Sequence, residues 1–156
     1  MAAGAWQVFT RAKRYLATAS GGINLDGVFL MSLHTAAASA NLLKITNTGI
    51  STWASVGSEI AEQGGYVAGG RSMSSVAWTV GASTKQMKYS FKSAGLVFTA
   101  SGANLSVIKY AVIRNSTGAG AGKVLCFCTL STAEFSITSP NTLTILPAAT
   151  GVFTMA

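Results

Sequence analysis

Apolar and polar positions along the chain follow two periods, a helical one at the start and a two-residue one almost everywhere after. Between residues 5 and 17, Ala5, Val8, Phe9, Ala12 and Leu16 recur at helical spacing, with Gln7, Thr10, Arg11 and Arg14 opposite and Trp6 and Lys13 on the flanks. This predicts an N-terminal amphipathic helix within residues 1–20, closed by Gly21-Gly22. Val28 to Leu33 is apolar on both faces and reads as a central buried strand. Leu42 to Ile45 is a short candidate. In Met73 to Val80, Ser74, Val76 and Trp78 form one set and Met73, Ala77 and Thr79 the other. Gln86 to Phe91 puts Met87, Tyr89 and Phe91 opposite Lys88 and Lys92. Leu96 to Thr99, Leu105 to Arg114, Val124 to Leu130, Phe135 to Ile137, Thr142 to Leu146 and Val152 to Thr154 complete the series, with Gly and Ser-Pro-Asn turn signals between them. Short strands repeating roughly every ten residues predict a mainly β fold. The expected architecture is one domain over 1–156, an antiparallel, jelly-roll-like β-sandwich of about 8–10 strands over 23–156 behind the helix. Thr46 to Glu62 reads as a loop or a short helix.

Composition narrows the class. Of 156 residues, Ala, Gly, Ser and Thr supply 25, 17, 18 and 17, whereas 10% are charged and 49% hydrophobic. So apolar a chain is not disordered, and it has neither a collagen repeat nor coiled-coil heptads. A surface this thinly charged is expected to be covered by sister subunits or a larger assembly. The basic cluster Arg11, Lys13 and Arg14 follows the apolar residues, the reverse of a signal peptide. The uncharged stretches Gly27 to Leu43 and Phe135 to Ala156 are broken by polar residues or Pro140 and Pro147, so neither reads as a membrane span. Cys126 and Cys128 read as buried free thiols of a protein made in a reducing cytoplasm. A metal site would need further soft ligands that one histidine cannot complete.

Candidate chemistry is sparse. Gly65 to Ser72 (GYVAGGRS) is one letter from a phosphate-binding loop, but Arg71 replaces the lysine and a strand pattern follows where a helix is needed. It reads as a Gly-rich turn between strands. His34 with Asp26 and a serine lacks the elbow motif of a hydrolase and reads as a structural or interface residue. Asp26, Glu59, Glu62 and Glu134 are too few and too scattered for a paired-carboxylate site. The chain is expected to be no enzyme, with no cofactor, metal or small-molecule substrate. The net charge of +7 concentrates on the helix and on Lys85, Lys88 and Lys92. Tyr89 and Phe91 alternate with those lysines and point to the opposite face, which weakens a base-stacking platform. Attraction to an acidic protein surface is the more economical reading than DNA or a membrane.

Taken in order, AWQVFTRAKRYLA, INLDGVFLMSLHT, STWASVGSEIAEQGGYVAGGRSMSSVAWTV with KQMKYSF, LVFTASGANLSVIKYAVIRN, KVLCFCTL and NTLTILPAATGVFTMA resemble small virion structural proteins of tailed bacteriophages, most like capsid cement or decoration proteins. The resemblance spans nearly the whole chain and rests on diffuse segments. It implies a jelly-roll-like homodimer or homotrimer that binds the major capsid protein lattice on the outside of the head. A tail-associated or host-attachment module and a basic DNA-binding packaged protein are the alternatives. Trp6, Phe9, Arg11, Lys13 and Arg14 are the candidate interface, since Trp and Arg favour interface hot spots. On this reading residues 1–17 are separable from the sandwich, and Ala148 to Ala156 are free to add a strand to a neighbour.

Overall fold

The computed structural model describes residues 4–17, 22–24, 27–42, 51–80 and 86–155. The fold is mainly β and antiparallel, with a helix near the N-terminus. A five-stranded sheet has the order β1 (Gln7–Val8), β9 (Val124–Thr129), β8 (Tyr110–Asn115), β2 (Phe29–His34) and β3 (Arg71–Ser72). A three-stranded sheet has the order β12 (Phe153–Met155), β5 (Met87–Ser90) and β4 (Ala77–Val80). Two further pairs join β10 (Phe135–Ile137) to β7 (Leu105–Ile108) and β11 (Thr142–Ile145) to β6 (Leu96–Thr99). The helical pieces are α1 (Thr10–Leu16), α2 (Ser39–Leu42) and α3 (Trp53–Val56).

The large sheet is a middle layer. β2, β8 and β9 are buried along almost their whole length, which is why their sequences run apolar instead of alternating. The register puts Phe29, Met31, Ile113 and Cys126 on one face and Ser32, His34, Val112 and Phe127 on the other. The first face meets the three-stranded sheet, where Phe29 lies 5.6 Å from Tyr89 between ring centroids. The second meets α1 and α3, with Phe9 5.4 Å from Phe127 and Trp53 bonded to Ser32. One sheet packs on another, therefore, with helical segments as a third layer.

Three expectations change on this frame. The chain is extended from Gly4 to Phe9, and the helix is only Thr10–Leu16. Gly4 N–H donates to the Thr129 carbonyl at 2.7 Å and Phe9 N–H to that of Leu125 at 3.2 Å, so the outer edge of β9 claims these residues as a strand. A seven-residue helix is too short to persist alone, and packing decides its limits. Residues 1–17 are consequently not separable, because Phe9 and Ala12 lie in the core. Leu105 to Arg114 is not one strand: Val107 has a left-handed φ of 56°, costly for a β-branched residue, at an irregularity in the β10 pairing, which ends at Ile108 before the chain enters the large sheet at Tyr110. The strand expected from Met73 to Val80 is interrupted at Ser75, φ 52°, leaving Ala77–Val80. The candidate Leu42 to Ile45 places Leu42 in α2, with 43–45 outside the described residues, as is Gly21.

The Gly65 to Ser72 segment is a turn entering a strand, because Arg71–Ser72 pairs with Leu30 and Met31. Gly70 has φ +86°, and a Cβ there would run into the Met31 carbonyl oxygen. At Gly102, φ +73°, a Cβ meets nothing within 4 Å. Gly102→Ala should therefore cost about 1 kcal/mol from backbone strain alone. Gly70→Ala should cost about 2–3 kcal/mol because it adds a clash with the β2 backbone. Urea unfolding of the two variants checks the difference.

Candidate functional site

The densest group of polar side chains lies on the helical side of the large sheet, under the segment 51–70. Ser32 and His34 sit two apart on β2 and so share a face. His34 is fully buried, and its Nδ1 lies 2.8 Å from the Gly57 carbonyl oxygen, which can only accept. Nδ1 therefore carries the proton, and Nε2 accepts the Ser32 hydroxyl at 2.9 Å. Ser32 Oγ in turn accepts the Trp53 indole N–H at 3.2 Å. Burial pulls the His34 imidazole down to about 4, overriding the Gly57 bond that favours the protonated ring.

A second set of bonds continues along the same segment. The Tyr66 hydroxyl accepts the Leu33 N–H at 3.0 Å and donates to Glu59. Glu59 Oε1 also accepts the Gly69 N–H at 2.8 Å. Arg114 lies over the Trp53 ring, 4.6 Å from its centroid, and its Nη2 donates to the Gly69 carbonyl at 2.9 Å. Burial lowers the Arg114 pKa and pushes the Tyr66 phenol up. Backbone bonds from Thr35 to Ser58 and from Ile60 to Leu33 fix the segment at both ends of His34.

Chemically, Ser32–His34–Gly57 has the connectivity of an activated hydroxyl, with an oriented imidazole accepting the serine proton. Both side chains are 0% exposed, so the hydroxyl reaches no substrate in this conformation. The arrangement ties a loop to a sheet. Sequence reasoning singled out His34 but missed Ser32, Trp53, Tyr66 and Arg114. The available signal was two polar residues at i and i+2 on one face of an otherwise apolar strand.

The other candidates scatter. Asp26 and Lys85 lie outside the described residues. Glu62 accepts the Ala68 N–H at 3.2 Å and Glu134 the Ala36 N–H at 2.6 Å, so each described carboxylate serves the protein's own donors. Among the described residues, no three of His, Cys, Asp and Glu come together as a metal site would require. Cys126 and Cys128 are buried free thiols. Burial raises both, Cys128 to about 12 and Cys126 well above its ordinary value. Tyr89 and Phe91 are buried while Lys92 is exposed, so aromatic and cationic groups occupy different surfaces.

Of the interface candidates, Phe9 needs correction. It is 1% exposed and packs on Phe127, so it offers nothing to a partner. Lys13 and Arg14 are exposed, Arg11 and Trp6 half-buried. Trp6 turns its edge to Phe91 at 6.5 Å and forms one wall of an apolar groove of about 640 Å³. Leu130, Phe135, Leu143, Leu146 and Val152 also line that groove, with no charged residue among its walls. The C-terminal segment is not free either, because Phe153–Met155 pairs with β5 and Ala148 bridges to Gly151. No helix among the described residues is long and apolar enough to cross a membrane. Compared with protein-family models, with curated proteins and with solved structures, the chain matches none of them.

Two expected outcomes follow from burial. With its folded pKa held below the unfolded 6.5, His34 contributes fully above pH 6.5, and that contribution drains away as pH falls from 6.5 to about 4. The loss should amount to about 3 kcal/mol. Urea midpoints across that window should fall steeply in the parent and less in His34→Gln, whose own lower stability shifts the curve without that slope. A thiol reagent at pH 8 should leave Cys126 and Cys128 unmodified in the native protein and label both in denaturant.

Proposed function

We propose that the chain is a non-enzymatic structural protein of a tailed-phage virion, a cement or decoration protein that binds the outside of the assembled head. The observation that carries this reading is the distribution of charge. Among the described residues Lys13, Arg14, Arg71 and Lys92 are exposed against two exposed carboxylates, Glu62 and Glu134, so cations outnumber anions at the surface of a chain of net charge +7. Such a surface favours an acidic protein lattice as its partner. Binding a repeating shell also lets modest contacts act together when copies are linked, since each further contact becomes intramolecular. Large apolar side chains at the surface, Val67 at 66% and Leu146 at 57% exposed, fit a molecule that works in contact with others.

Quantitative mass spectrometry of purified particles, with and without their genomes, tests the proposal. Hundreds of copies that stay on emptied heads are expected. A handful of copies confined to tails would replace it with the attachment reading, and copies released only with DNA would replace it with the packaged DNA binder.

A further inference from the structure

The three-stranded sheet carries an apolar surface that its own core only half covers. Its rungs are Trp78–Tyr89–Phe153 and Val80–Met87, both on the core-facing side by the two-residue alternation. The first rung is a continuous aromatic row, with Trp78 and Phe153 each within 5.5 Å of Tyr89 and Tyr89 itself 0% exposed. On the second, Val80 is 64% and Met87 44% exposed. Of the large apolar side chains exposed among the described residues, only these two face each other across a ladder. Among the described residues β4 is also the sheet's edge, pairing with β5 on one side only. Ala77, Trp78, Thr79 and Val80 include no charge and no proline, the usual guards of an open edge. The Trp78 indole N–H is buried without an acceptor.

We infer that this edge pairs with a second copy of the same chain, β4 against β4 about a two-fold axis at Thr79. Antiparallel pairing in that register sets Trp78 of each copy beside Val80 of the other, on the same face, so each aromatic row runs on into the partner's exposed aliphatic rung. Charge selects the occupant. A molecule of net charge +7 repels its own copies except through an uncharged surface, and β4 is uncharged. The nearest cation on the sheet, Lys88, would lie three strand spacings from its counterpart, roughly 14 Å. That exceeds the screening length of about 8 Å at physiological salt. An acidic partner has no complement on this edge. The outward residues Ala77 and Thr79 are small and leave the approach open.

The pairing is independent of the capsid proposal and is tested on the free protein. Sedimentation of the full chain should give a two-fold assembly, with twice the 15.9 kDa chain mass as its unit. Thr79→Lys, which brings two cations together on the axis, should yield folded monomers whose cooperative melt no longer depends on protein concentration. Thr79→Cys should form a disulfide-linked dimer under mild oxidation, and Thr154→Cys, exposed on the outer face of β12, should not. A monomeric parent, an odd-numbered assembly, or an assembly that survives Thr79→Lys would overturn the inference. So would equal crosslinking through Thr79→Cys and Thr154→Cys.

Discussion

The structure depends on burying both faces of the β2–β8–β9 ladder. A strand exposed on one side alternates; these three do not, and every residue from Val124 to Cys128 is buried. Fully covering one Leu, Ile or Phe side chain is worth about 1.5–3 kcal/mol, so two faces of such strands supply most of the driving force. The same fact creates a demand, because a sheet apolar on both sides needs cover on both sides. The small sheet answers on the Phe29 face through Tyr89. On the Phe127 face no second sheet is present among the described residues, and short helices with a long loop take its place.

That asymmetry explains where the buried polar groups are. Sheet-on-sheet packing needs no hydrogen-bond network, as where the rings of Trp78, Phe153 and Tyr89 pack together with the Trp78 indole N–H and the Tyr89 hydroxyl left unpartnered. A loop lying on a sheet brings backbone N–H and C=O groups into the interior, and each must be paired. His34 accordingly serves the Gly57 carbonyl, Glu59 the Gly69 N–H, and Tyr66 the Leu33 N–H. An imidazole is suited to this position because in its neutral form it both donates and accepts. Its burial makes the protonated form unfavourable, so the tie between loop and sheet weakens in acid. The network's chemistry is therefore a consequence of covering the sheet with irregular chain.

Much of this was legible in the sequence, and the exceptions have physical causes. The period-two segments became strands at β2, β5, β6, β9, β10, β11 and β12, because alternation or a continuous apolar run directly reports which faces are covered. The Gly65 to Ser72 turn was legible through the strand that follows it. Failures came where a local pattern met a distant backbone. Ala5 to Phe9 has helical spacing, yet the open edge of β9 offered hydrogen bonds a short helix could not match. Leu105 to Arg114 has a strand pattern throughout, but nothing in it announces the irregularity at Val107 or the change of sheet between Ile108 and Tyr110. The polar network was invisible for a related reason. Ser32 and His34 are adjacent on a strand, whereas Trp53, Glu59, Tyr66 and Arg114 reach them from separate segments, and spacing does not encode that convergence.

The low charge count acquires a more specific meaning from the placement of the few charges there are. Three of the four acidic residues are described, and each is bound to an N–H of a neighbouring segment, where a carboxylate strengthens a hydrogen bond by its charge. Glu59 is half-buried in this role, whereas Glu62 and Glu134 hold their bonds at the surface. The cations divide in the same way but are more numerous: Lys13, Arg14, Arg71 and Lys92 stand at the surface, whereas Arg114 is drawn over an indole and Lys123 over the Tyr15 ring. Two kinds of surface result, one cationic around α1 and one uncharged along β4 and the Trp6 groove. The first kind is suited to long-range electrostatic attraction and the second to short-range apolar contact. The two are kept apart along the chain, and a cation placed on the β4 edge would oppose any pairing of that edge with a second cationic molecule.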